Sequence, residues 1–125
     1  MSIRRQSQTL LPSAARTAAT ISSEFSAEEV LSSDFVFDIT ADPASASITL
    51  TIQGQDPLSG KWYTILAGAA QAAVGTIIMR VGPSIVAAAN VAATAILPEL
   101  FRISVAVADT DSMTYSVGVT HMIDN

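Results

Sequence analysis

The side chains that could carry chemistry in this chain are few and scattered. One histidine, His121, stands near the C-terminus, and there is no cysteine. A general acid–base site needs convergent groups with tunable protonation, and a single imidazole continuing the alternating run 113–121 reads as a strand-end residue. Without thiols, a disulfide framework, a thiolate metal site and a thiol nucleophile are all excluded. No G-x-S-x-G elbow, H-E-x-x-H helix, Walker loop or G-x-G-x-x-G turn occurs. Asp109 and Asp111 flank Thr110 and offer oxygen ligands of the kind calcium takes. Asp and Ser at that spacing also stabilise tight turns through their own backbone, which explains them more simply. Asp38 and Asp42 occupy strand and turn positions that need no metal. The sequence therefore predicts no catalytic residue, no cofactor and no metal site.

Contact, rather than catalysis, is the chemistry on offer. Trp62 and Tyr63 are adjacent in a strand-like run, so they point to opposite faces and only one can join a core. The other is free to fill a neighbouring subunit or, less readily, to stack on a sugar, for which no convergent polar residues are evident. Arg4, Arg5 and Arg16 meet no acid in the first sixteen residues, giving that segment a charge of +3. The remainder holds three basic and eleven acidic residues. A basic arm on an acidic body suggests arm-to-body contacts between copies. Arg4, Arg5, Arg16, Trp62 and Tyr63 are accordingly the candidate partner-binding residues. Nucleic acid is not an expected partner, because phosphate binding needs clustered Lys and Arg and the chain has one lysine, Lys61.

These residues must be positioned by short strands. Phe35, Phe37 and Ile39 alternate with Val36, Asp38 and Thr40. Ile48, Leu50 and Ile52 alternate with Thr49, Thr51 and Gln53, the cleanest half-buried strand in the chain. Asp42-Pro43-Ala44-Ser45 is a turn by composition. The loop Gly54–Gly60 leads into Lys61–Leu66, rich in aromatic and β-branched residues, and the two strands form a long-looped hairpin. Gly68–Val74 is a small-residue connection before a strand over Thr76–Val81. Leu100–Ile123 reads as two strands around a polar hairpin turn at Asp109–Ser112. Ser23–Ser33 is a helical turn or a loop. Ser84–Leu97 is ambiguous: its alanines favour a helix, while its valines and bounding prolines favour strand or irregular structure, the preferred reading.

Counting gives seven or eight short strands, the pattern of an all-β single β-sandwich, jelly-roll or Ig-like. Residues 1–19 read as an extended N-terminal arm, with a first short strand near Thr17–Ser22, and residues 20–125 as the sandwich domain. At 125 residues one core is affordable. Half of the residues are hydrophobic and only 14% are charged, so the surface relies on Ser, Thr, Ala and Gln and suits being covered. Arg4-Arg5 lacks the apolar stretch of a cleaved leader after it. Ile65–Met79 falls short of the roughly twenty apolar residues of a membrane-spanning helix and carries Gly68 and Gly75, so no membrane role is expected.

The combination of Ser13-Ala14-Ala15-Arg16-Thr17, the hairpin from Ile48–Gln53 to Gly60–Leu66, and Pro98–Val107 followed by Tyr115-Ser116-Val117 resembles the small β-sandwich virion proteins of tailed bacteriophages. In those sequences an S-A-A-R-T lead-in precedes a strand, a V-T-V-Q…W-x-T-I hairpin spans the middle, and a P-x-x-R-V strand closes the domain. Here Arg102-Ile103 stands where the Arg-Val pair falls. The resemblance covers most of residues 13–120, and the Ala-rich stretch Gly68–Leu97 departs from it. It implies a non-enzymatic capsid decoration (cement) protein on the outer surface of the head, made in the host cytoplasm. The implied partners are the major capsid protein and copies of itself in a dimer or trimer. A tail or head-tail joining component, or a carbohydrate-binding host-attachment module, is the alternative. The family has no active site to carry over.

Overall fold

The computed structural model describes residues 2–124 and is all-β, two packed sheets with no helix among the described residues. In chain order the strands are β1 (Ile3–Arg16), β2 (Thr20–Ile21), β3 (Phe25–Ser26), β4 (Val30–Ala41), β5 (Ile48–Gln55), β6 (Trp62–Ala67), β7 (Gly75–Gly82), β8 (Ala92–Thr94), β9 (Leu100–Val107) and β10 (Met113–Asp124). One sheet runs β1-β10-β4-β7-β8, and the other runs β2-β9-β5-β6, with β3 also pairing β9. All pairings are antiparallel except β7–β8. With β2 and β3 taken as one interrupted strand and β8 as an addition, this is the strand order of a jelly roll rather than an immunoglobulin sandwich.

The alternation read from the sequence decides which side chains go inside. Ser33, Phe35, Phe37 and Ile39 of β4 are buried, as are the odd-numbered residues Met113 to Ile123 of β10. They meet Ile48, Leu50 and Ile52 of β5 and Phe101, Ile103 and Val105 of β9 from the opposite sheet. Phe35 packs edge-on against Phe101 across the two layers, with centroids 5.9 Å apart, and Phe37 meets Tyr115 at 5.4 Å. Both distances and angles suit the aromatic quadrupole.

Four expectations are corrected. The described residues form ten strands, because β2, β3 and β8 are too short to show a period. The segment 1–19 is not an arm outside the sandwich, since β1 pairs with β10 from Ile3↔Asp124 to Arg16↔Met113. Its side chains are exposed on both faces apart from Leu10, Leu11 and the partly buried Gln8 and Arg16, so it shows no alternation to read. β9 and β10 do not form a hairpin: they lie in different sheets, and the Ala108–Ser112 connection arches between layers, held where Ala108 N–H donates to Ser47 O. β4 begins at Val30 and β3 lies within Ser23–Ser33, where a helical turn or loop was expected. The ambiguous 84–97 segment is irregular except for β8, as the preferred reading had it.

Candidate functional site

The buried polar pair at one end of the core is the nearest approach to a chemical site. β10 continues to Asp124, so His121 lies within the strand and not at its end. Its parity with Tyr115 and Val117 sends the imidazole inward, directly across from Ser33 of β4. Ser33 Oγ and His121 Nδ1 share a hydrogen bond of 2.6 Å, and each residue is only 2% exposed. Phe101 stands edge-on to the imidazole at 5.6 Å, and Nε2 has no hydrogen-bond partner. Burial pushes the histidine below its ordinary pKa, so the ring is held neutral. A serine against an imidazole is the geometry of an activated nucleophile, but such a site also needs a group orienting the base and access for substrate. The pair is buried, no acid is bonded to the ring among the described residues, and it forms a polar contact across the two strands.

Three of the carboxylates considered as metal ligands accept local hydrogen bonds. Asp109 Oδ1 accepts the Asp111 N–H at 3.0 Å, Asp42 Oδ1 accepts the Ala46 N–H at 2.7 Å, and Asp38 Oδ1 accepts from Thr76 Oγ1 at 3.0 Å. Among the described residues there is no cluster of three or more metal-ligating side chains.

The five candidate partner-binding residues fall on two different edges. Arg16 is spent within its own chain: Nη1 donates to Tyr115 O at 2.8 Å, Nη2 to Pro12 O at 2.6 Å, and the guanidinium lies over the Tyr115 ring at 4.6 Å. It pins the irregular stretch of β1 where the register shifts around Leu11. Arg4 and Arg5 are exposed farther along the same strand, on opposite sides of it. Arg4 borders a hollow with Glu28 and Glu29, and Arg5 borders another with Asp34 and Arg80, which themselves pair at 3.4 Å.

Trp62 and Tyr63 lie on β6, the edge of the other sheet, and neither belongs to the core. Trp62 is half-buried on the outer face, with the Arg102 guanidinium 4.1 Å above its ring centroid. Arg102 Nε also donates to Gln53 Oε1 at 2.8 Å, which fixes it over the indole. Tyr63 is 46% exposed and leans toward Gly54, where its hydroxyl lies close to the glycine's missing Cβ position. Sequence reasoning missed Arg102 and Ser33. Each was marked by phase, Ser33 with Phe35 inside and Arg102 out of step with Phe101 and Ile103.

A further exposed feature is Leu58, 95% exposed at the tip of the β5–β6 loop. The loop is rigid because Asp56 Oδ1 accepts the Leu58 N–H at 2.9 Å and Oδ2 accepts from Ser59 Oγ at 2.8 Å. These bonds, the backbone one first, hold the Asp56 carboxyl below its usual pKa. Gly60, at φ 76°, takes the left-handed conformation that closes the turn. No family model matches this chain, and no curated protein or solved structure matches it either.

Proposed function

We propose that this chain is a non-enzymatic structural protein of a tailed-phage particle, a decoration protein that seats on the major capsid protein lattice and stabilises the head. The observation that carries this reading is the surface of the jelly roll. Its exposed large side chains include Ile3, Ile21, Leu58, Val74, Val86 and Ile96, on the outside of a fold whose one histidine is buried. With only 14% of its residues charged, such a surface costs little to desolvate where a neighbour covers it. On a lattice of identical sites, many modest contacts add up. Jelly rolls also serve as lectins and cupins, so topology alone does not select the role. A sugar platform is less well supported, because Arg102 already covers the Trp62 ring.

The test is co-sedimentation of the purified full chain with emptied heads of the particle that carries it, followed by native mass measurement of the free protein. Saturable binding at a fixed copy number per lattice unit is the expected result. Binding to purified tails but not heads would move the protein to a joining role. Binding to neither would end the proposal.

A further inference from the structure

We propose that the β6 edge, Trp62–Leu66, is a homotypic pairing surface at which a second copy of this chain adds its own β6 antiparallel, joining two sheets into one. This goes beyond the capsid reading and does not depend on it.

A sheet edge exposes unpaired N–H and C=O groups, and folded proteins blunt such edges with shortness, bulges, proline or charge. Three of the four edges here are blunted more heavily than the fourth. β1 carries Pro12, two register shifts and Arg4, Arg5 and Arg16. β8 has three residues, and the β2/β3 edge is two strands of two residues each. β6 is six residues long, with no charge and no proline. Among the described residues it is paired only to β5. Its one irregularity is at Ile65, where the register shifts between Leu66 and Thr64. At its far end the Asn90 side chain donates to Ala67 O at 3.1 Å, capping that carbonyl and marking where the open edge stops. Beside it lies a shallow groove of about 390 Å³, between Ile65 and Leu66 on one side and the alanines 87–89 on the other. Its walls are mostly apolar, with Asn90 and Thr94 the polar side chains among them.

Charge selects a second copy as the occupant. The body of the molecule is acidic and the chain carries a net charge of −5, so two copies repel across most orientations. From Trp62 to Pro98 the only charged side chain is Arg80. That stretch supplies β6, β7, β8 and their connections, and six of the exposed large side chains: Tyr63, Val74, Ile78, Val86, Val91 and Ile96. It lies within the longest acid-free stretch of the chain, so two identical acidic molecules can meet here with few opposing carboxylates. A two-fold axis through an antiparallel β6 pair presents the same neutral patch from both sides, which is how closed homodimers form.

The experiment is sedimentation velocity on the full chain over a concentration series, with hydrogen–deuterium exchange of the same samples. The expected result is a dimer whose Tyr63–Ile65 amides gain protection as concentration rises. Thr64→Asp sets a carboxylate on each side of the axis and should weaken the dimer about tenfold or more. Thr64→Val keeps the β-branched shape and should leave it intact. A wild-type monomer at high concentration, or a dimer whose β6 amides stay unprotected, overturns the proposal. The exchange measurement decides the matter even where Thr64→Asp folds poorly. Failure to bind heads leaves this result untouched, so the two proposals fall separately.

Discussion

Removing β1 should unfold the sandwich rather than release a free arm. Leu10 and Leu11 are 5% and 8% exposed, and they are the only buried side chains of that strand. Burying a leucine is worth about 1.5–3 kcal/mol, so the pair contributes roughly 3–6 kcal/mol. Deletion also strips the backbone partner from one side of β10, baring a long edge beside the core. A domain of this size holds about 5–15 kcal/mol in total, so the loss is comparable with the whole. The point variant Leu11→Ala isolates the packing part and should cost about 2–4 kcal/mol. At about 3–5 °C per kcal/mol for a chain of this length, its Tm should fall by roughly 6–20 °C. Circular dichroism melts and urea titrations of the full chain, of Leu11→Ala and of residues 17–125 provide the measurement. If residues 17–125 melt at the same temperature and urea midpoint as the full chain, the assignment of β1 to the sandwich is refuted.

Three further outcomes can be checked. His121 is neutral in the fold and has its pKa lowered by burial, so the unfolded chain takes up its proton first as the solution is acidified. Stability should be full above about pH 6.5 and should fall below it, with a limiting slope of about 1.4 kcal/mol per pH unit until the depressed folded value is passed; His121→Phe should remove that slope in pH-dependent urea titrations. Gly68→Ala should cost about 1–3 kcal/mol in a thermal melt, because its Cβ would lie 2.8 Å from Leu50 O and against Met79. Arg102→Ala should uncover the Trp62 ring, seen as a red shift and stronger quenching of tryptophan fluorescence by acrylamide, with a stability loss of about 0.5–2 kcal/mol.

The strands were legible wherever one face is wet and the other dry. Ile48–Gln53, Phe101–Val107 and Tyr115–Val119 each announce themselves by a period of two, and the structure keeps those phases. What periodicity cannot supply is the partner of a strand. β9 and β10 follow one another with a short polar connection, the signature of a hairpin, yet they belong to opposite sheets, a choice that the alternation of either strand does not encode. β1 was invisible for the opposite reason, since an edge strand exposed on both sides has no pattern to display. The buried pair was half visible. The parity that places Tyr115 inside extends to His121, and that of Phe35 extends back to Ser33, but their meeting depends on β4 and β10 being neighbours. Arg16 and Trp62 were singled out by residue type, and both turn out to be engaged by residues of their own chain, Pro12 and Tyr115 in one case and Arg102 in the other.

The placement of β10 between β1 and β4 bears on how the molecule comes into being. Ile3 must wait for Asp124 and Phe37 for Val117 before the first sheet can zip together. During synthesis, β1 and β4 therefore leave the ribosome with their hydrogen-bonding edges bare until the last strand emerges to fill the gap. Such distant pairings are formed late and slowly, on millisecond-to-second scales typical of all-β topologies. A nascent copy spends that interval vulnerable to pairing with the wrong chain, so crowded production should favour helper-bound or aggregated intermediates over rapid, autonomous collapse.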